Sequence, residues 1–221
     1  MVSKYQPILF DLDGTLIDSK LGILKGVQYA LTQLGLPLEW GSESEISQLI
    51  GPPIFQLFKF CLRHHASDER LIHKAVQYFR EYYKEQGLHE CVPYAGILEL
   101  LILLQKQGKI LAVATSKPTV YAEIILKNLK LADYFKNVVG SNLDLTRADK
   151  QEIINLVLKN LAIKASREAI MVGDQYHDVV GAHANGMASI WVRYGYGKQE
   201  DLHSYHPNFI VDSVSQLAEI L

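Results

Sequence analysis

Four short stretches of the chain carry residues able to do chemistry on a charged substrate. Asp11 and Asp13 stand at i and i+2, directly after the apolar run Ile8-Leu9-Phe10 and directly before Gly14-Thr15. Two carboxylates so placed, with a glycine turn after them, are a candidate catalytic pair. The same pair can also serve only as turn or capping residues. Thr115-Ser116-Lys117-Pro118 follows Val113-Ala114 and precedes a helical pattern, so hydroxyl and backbone N–H groups gather where phosphate oxygens are readily held. Lys150 opens the next helical pattern but one, where an ammonium either meets an anion or is solvated surface. Gly173-Asp174-Gln175-Tyr176-His177-Asp178 closes the run Ile170-Met171-Val172 and brings a second acidic pair.

The elements that must position these residues show two periodicities. Short apolar runs at 8–10, 110–114, 138–139, 170–172 and 190–192 alternate with helical patterns over 97–107, 120–129, 152–161 and 178–185. That alternation predicts an α/β fold, a parallel sheet with helices on both faces. In such folds ligands collect outside the carboxyl ends of the strands, where the chemical stretches fall. Between about residues 18 and 92 the alternation stops. Helical patterns over 22–34, 43–50, 54–64 and 69–86 follow one another, punctuated by Gly35, Gly51-Pro52-Pro53 and Gly87. The prediction is a catalytic core of residues 1–17 and 93–221 carrying an inserted all-α cap of residues 18–92. Hinges are expected near 18–20 and 91–94.

Composition narrows the classes. The 221 residues are 48% hydrophobic and 21% charged, ordinary globular usage rather than that of a disordered chain. Twenty-two Lys and Arg against twenty-four Asp and Glu leave a formal charge of −2, which gives no support for binding a nucleic-acid polymer. Cys61 and Cys91 form no CxxC or zinc pattern, and His64-His65 and the other histidines have no metal-ligand spacing. The first residues contain no signal-peptide apolar region, and the longest apolar stretch, at 97–104, is too short to span a membrane. A cytoplasmic protein, monomeric or weakly homodimeric and without a membrane partner, is expected.

Taken together, DLDGT at 11–15 with its preceding strand, TSK at 115–117, the isolated Lys150 and GDxxxD at 173–178 resemble, in order, the four motifs of the haloacid dehalogenase (HAD) superfamily of aspartate-nucleophile phosphatases. The resemblance spans the whole chain, because the helical insertion resembles that superfamily's cap. Ile50-Gly51-Pro52-Pro53, the run 78–83, the run 140–144 and Tyr194-Gly195-Tyr196-Gly197 are similar to a bacterial subgroup labelled 5′-nucleotidase-like, neighbour to the phosphoglycolate phosphatases. Leu145 and Ala148 depart from that subgroup's usual residues.

The resemblance implies a Rossmann-like core and a Mg²⁺-dependent phosphomonoester hydrolase acting on small-molecule phosphate esters. Asp11 would be the nucleophile and Asp13 the acid and base. Thr115, Ser116 and Lys150 would hold the phosphoryl oxygens, with Lys150 also pairing with Asp11 and Asp174. Asp11, the carbonyl of Asp13 and Asp174 would hold the metal, with Asp178 behind them. In the cap, Gly51, Pro52 and Pro53 either present backbone groups and Phe55 to the leaving group or simply break a helix, and Phe79, Tyr82 and Tyr83 either stack a base or pack the cap. His177 is a neighbour that the pattern does not require. Nucleoside 5′-monophosphates are the expected substrates. The alternatives are phosphoglycolate, sugar-phosphate mutase chemistry, or a non-enzymatic regulatory protein on the same core.

Overall fold

A computed structural model describes residues 5–36, 50–63, 68–144, 146–163, 166–198 and 202–221. Most of the expected helix over 43–50, the pair His64-His65 and Leu145 lie outside the described residues. The chain enters through strand β1 (Ile8–Phe10), turns at 11–16 and makes the short strand β2 (Ile17–Asp18). Helices α1 (Lys20–Gln33), α2 (Ile54–Cys61) and α3 (Glu69–Glu85) follow, and strand β3 (Val92–Pro93) brings the chain back. Then come α4 (Ile97–Lys106), β4 (Leu111–Pro118), α5 (Thr119–Asn128) and β5 (Asn137–Ser141). The chain continues through α6 (Lys150–Asn160), β6 (Ile170–Gly173), α7 (Tyr176–Ala184) and β7 (Ala188–Val192). It ends with α8 (Leu202–Tyr205), β8 (Phe209–Val211) and α9 (Val214–Ile220).

Six strands form one parallel sheet in the order β5-β4-β1-β6-β7-β8. From β1 the chain builds outward through β4 and β5 on one side, then crosses to β6, β7 and β8 on the other. β1 therefore sits at the point where strand order reverses, and the crevice at its carboxyl end is where such sheets place ligands. Alternation along β1 shows why both faces are covered. Ile8 and Phe10 join one buried cluster and Leu9 joins the other, with Ala112, Met171, Ile153 and Val157. A strand buried on both sides has no polar face, which is why it reads as a continuous apolar run.

Three features depart from the expected boundaries. β4 continues through Thr115, Ser116 and Lys117 to Pro118 after a register shift beyond Ala114, so the expected loop before α5 is strand. β2 and β3 pair antiparallel, Ile17 with Pro93 and Asp18 with Val92, forming a two-stranded ribbon at both expected hinges. Such two-residue strands leave no periodic trace in a sequence. β8 is a three-residue edge strand made by its pairing with β7.

Local rules account for the elements that matter most. α3 buries Ile72, Ala75, Val76, Phe79 and Tyr83, one face at helical spacing, and starts at Asp68, whose side chain accepts from Arg70 N at 3.0 Å. α6 starts at Asp149, whose carboxylate accepts from Gln151 N at 2.7 Å and Glu152 N at 3.3 Å. That cap fixes Lys150 as the first helical residue. Side chains on a helix lean toward its N-terminus, so Lys150 is sent back toward the strand ends. No described helix is long and apolar enough to cross a membrane.

Because Leu9 is fully buried between the sheet and its helices, Leu9→Ala should lower unfolding stability by about 2–5 kcal/mol in a denaturant titration. A loss below about 1 kcal/mol would show that this face of the sheet is not packed.

Candidate active site

Asp11 directly follows β1, its N–H donating to Val172 O at 2.8 Å, and it is buried. Lys150 reaches it from α6. The ammonium lies 3.0 Å from Asp11 Oδ1, 2.8 Å from Asp178 Oδ1 and 3.1 Å from Ala114 O. At 4% exposure Lys150 is no solvated surface residue. Burial alone would lower its pKa, but Asp11 and Asp178 outweigh that and hold it above the ordinary lysine value. The expected partner Asp174 is replaced by Asp178. The reason is the start of α7, where Gln175 N donates to Asp178 Oδ2 at 3.1 Å in a capping box and leaves Oδ1 turned to the ammonium. Burial is also the largest influence on Asp11. It pushes that carboxyl up to about 6 against the opposing pull of Lys150, with Asp178 and Asp13 adding to the rise.

Asp174 follows β6 and receives only neutral donors: Thr15 Oγ1 at 3.2 Å and Tyr196 N at 2.8 Å. Burial, then the charges of Asp11 and Asp178, hold it well above the carboxylate range. Oxygens of Asp11, Asp174 and Asp178 all lie within 4.8 Å of one another. Three carboxylates against one ammonium leave an excess of negative charge, built wholly from hard oxygen donors. That donor set suits a divalent cation such as Mg²⁺.

The space around Asp174 depends on glycine. A Cβ on Gly14, where φ is +81°, would come within 2.3 Å of Asp174 Oδ2, and one on Gly195 within 2.3 Å of Asp174 Cβ. The strand-end loop 194–197 thus lies directly over Asp174. Its tyrosines fasten it there. Tyr194 Oη donates to Thr15 O at 3.0 Å, and Tyr196 Oη donates to Asp18 Oδ1 at 2.7 Å while accepting from Ser19 N at 2.9 Å. This loop ties the Asp11–Asp13 turn, the Asp174 turn and the β2 crossing together, a role that the sequence pattern does not disclose.

Asp13 faces the other way, toward the helical segment. Ser19 Oγ donates to its Oδ1 at 2.5 Å, and Lys117 Nζ lies 2.9 Å from its Oδ2. Lys117 also donates to Tyr83 Oη of α3 at 2.8 Å. Burial would lower the Lys117 pKa, yet Asp13 and Tyr83 hold it above the ordinary value. No separate role attaches to Lys117 in sequence. The one available signal is its i+2 spacing from Thr115, which on an extended strand keeps both near the same site. Thr115 is buried with Oγ1 accepting from Lys117 N at 3.2 Å, and Ser116 Oγ is buried with no partner among the described residues.

A cavity of about 80 Å³, open to the centres of water molecules, lies between this cluster and the helical segment. Asp13, Ser116, Gly51, Pro52, Pro53 and Arg80 are among its lining residues, as are Phe79 and Tyr83. The Gly51 loop docks through Ile50 O, which accepts from Gln175 Nε2 at 2.9 Å. Phe55 is not among the lining residues. Its ring pairs with His73 of α3 at 5.2 Å, because α2 turns Leu57 and Phe58 inward instead. Tyr82 likewise turns away and donates to Glu90 Oε2 at 2.9 Å. His177 is buried beside the acidic cluster, and burial first, then Lys150, push its pKa down to about 4. Burial pushes both cysteine thiols up to about 11, so they remain protonated at neutral pH.

Gly14→Ala must displace the Asp174 carboxylate and adopt a positive φ, so it should cost about 1–3 kcal/mol of unfolding free energy. An alanine variant as stable as the parent in chemical denaturation would mean that the turn has slack.

Comparison with known proteins gives this arrangement a context. The family described as haloacid dehalogenase-like hydrolase matches residues 8–192. A protein of Pseudomonas aeruginosa named 5′-nucleotidase is 38% identical over 221 residues, covering 99% of this chain and 96% of its own. A Vibrio parahaemolyticus protein named phosphoglycolate phosphatase is 31% identical over 219 residues, covering 97% and 95%. Among solved structures, one described as a predicted phosphatase from Clostridium acetobutylicum superposes with a TM-score of 0.89 at 42% identity, covering 97% of each chain. With Asp11 at the reversal point of a parallel sheet and these relatives matching almost end to end, the chain belongs to the haloacid dehalogenase-like hydrolase family and is a phosphatase of it.

Proposed function

We propose that the protein hydrolyses phosphate monoesters of small molecules through an aspartyl-phosphate on Asp11. The observation that carries this reading is how Asp11 is held. Lys150 at 3.0 Å and Leu12 N at 2.8 Å both engage Oδ1, which leaves Oδ2 for phosphorus. Oδ2 bonds to phosphorus as the ester P–O bond breaks, and Asp13 gives its proton to the departing oxygen. Asp13 then takes a proton from the water that attacks phosphorus, and the bond to Asp11 breaks to release phosphate. Thr115, the N–H of Ser116 and Lys150 share the charge on the phosphoryl oxygens, and the unpartnered Ser116 Oγ supports a ligand at that place. Lys117, 2.9 Å from Asp13 Oδ2, holds that carboxyl in place on the side of the site facing the helical segment.

Asp11, the carbonyl of Asp13 and Asp174 would hold Mg²⁺, with Asp178 behind them through Lys150 and the α7 cap. When bound, the ion offsets the repulsion between a carboxylate nucleophile and a phosphate dianion. Residues 1–17 and 93–221 are read as the catalytic core and 18–92 as a cap that turns on the β2–β3 ribbon. Nucleoside 5′-monophosphates are the substrates suggested by the Pseudomonas relative and phosphoglycolate those suggested by the Vibrio relative. The site is read as working in the cytoplasm, on no polymer and at no membrane.

Turnover of p-nitrophenyl phosphate with Mg²⁺ tests the mechanism. Asp11→Asn should lower kcat by at least about 1000-fold, since the covalent step is lost with the nucleophile. Undiminished activity in that variant would remove Asp11 from the role. The metal makes its own prediction. Asp11 is raised to about 6 from an ordinary 3.8, so in metal-free protein the stability present below pH 4 is lost as pH rises through about 6. A cation takes over where the proton leaves, so the rise in Tm on adding Mg²⁺ should be larger at about pH 7.5 than at about pH 5. An equal rise at both would place the ion elsewhere.

A further inference from the structure

The cavity between α3 and the strand ends is lined by one cation that the proposed mechanism leaves unused. Lys117 lines it too, but is committed to Asp13 at 2.9 Å. Arg80 lines it from α3, one residue after Phe79, and its Nη2 is buried with no hydrogen-bond partner among the described residues. No carboxylate of the described residues lies within ion-pair distance of it. Within this cavity Leu57, Phe79, Pro118 and Tyr121 line the same space, and Arg80 also lines an outer groove that holds Glu81 and Asp144 beyond ion-pair distance. Burial raises the Tyr121 phenol, and the nearby Arg80 charge opposes that rise.

A buried guanidinium nitrogen without an acceptor is costly to keep, because its hydration has been removed and nothing replaces it. Anionic acceptors recover more of that cost than neutral ones, since hydrogen bonds between charged partners are about twice as strong. Asp13 and Ser116 line the same cavity, so a group held by Arg80 belongs to the part of the ester that Asp13 protonates, the leaving group.

We propose that Arg80 is the specificity residue of this phosphatase, selecting esters whose leaving group carries a second anionic group, a carboxylate or a second phosphoryl. The proposal rests on the phosphatase reading above. It ranks phosphorylated hydroxy acids of the phosphoglycolate type, and small bisphosphates, above nucleoside monophosphates, whose leaving group is neutral. Arginine suits both anions because its planar fork matches carboxylate and phosphate oxygens alike.

The test uses three esters on one two-carbon frame: 2-phosphoglycolate, ethane-1,2-diol bisphosphate and the neutral 2-hydroxyethyl phosphate. In the parent protein, kcat/KM for at least one anionic ester should exceed that for the neutral ester by about 10-fold or more. In Arg80→Gln that ratio should fall by about 10- to 100-fold, with Arg80→Lys keeping part of it. Whichever ratio collapses identifies the second anion as carboxylate or phosphoryl. Unchanged ratios, or a parent protein that prefers the neutral ester, overturn the proposal. The same contact is read without turnover by calorimetric titration of Asp11→Asn and of Asp11→Asn with Arg80→Gln. If the parent protein fails on p-nitrophenyl phosphate, the phosphatase mechanism is at fault. The titration then decides Arg80: affinity for 2-phosphoglycolate that falls with Arg80 upholds it, and equal affinities reject it.

Discussion

The structure around the site depends on neutralising buried carboxylates. Asp11, Asp13, Asp174 and Asp178 are all buried at the ends of adjacent parallel strands, where their mutual repulsion would resist folding. Lys150 relieves one side of this cluster by pairing with Asp11 and Asp178, and Lys117 relieves the other by pairing with Asp13. Asp174 alone is left with neutral donors, Thr15 and Tyr196. One acid without a charged partner thus stands beside three that have one. The acidic cluster therefore carries more negative charge than the two ammonium groups beside it offset.

Each neutralising contact is also a piece of architecture. Lys150 is brought in by the Asp149 cap of α6, and Asp178 is oriented by the cap it makes at α7. Asp13 is bonded to Ser19, which follows the β2 strand, and through Lys117 to Tyr83 of α3. Tyr196 joins Asp174 to the same crossing through Asp18 and Ser19. The crossing between the helical segment and the sheet is thereby hydrogen-bonded to both acidic clusters. Asp13 meets that segment directly through Ser19 on Oδ1 and indirectly, through Lys117 and Tyr83, on Oδ2.

Much of this was legible in the sequence, and the reasons differ by residue. β1, β6 and β7 are buried on both faces and so appear as unbroken apolar runs, which places Asp11 and Asp174 at strand ends without coordinates. The α3 stripe of Ile72, Ala75, Val76, Phe79 and Tyr83 is equally plain from its spacing. Phe55 was not legible. Which side of a short, apolar α2 turns toward the cavity depends on packing with α3, and Leu57 and Phe58 take the inner positions. The β2–β3 ribbon and β8 have too few residues for any periodicity to register.

The identity and order of the reactive groups are properties of the chain. Asp11, Asp13, Lys150 and Asp174 fall at strand and helix ends set by local patterning, with Thr115 and Ser116 in the second half of β4, and local patterning is what sequence encodes most directly. Pairing is not local. That Lys150 meets Asp178 rather than Asp174, that Lys117 reaches Asp13, and that Tyr196 closes over Asp174 are contacts across 28, 104 and 22 residues of chain. They exist because the parallel sheet brings distant strand ends to one edge, where buried polar and charged groups meet. Tertiary structure alone decided those partners, and with them why Arg80 is left facing the cavity without one.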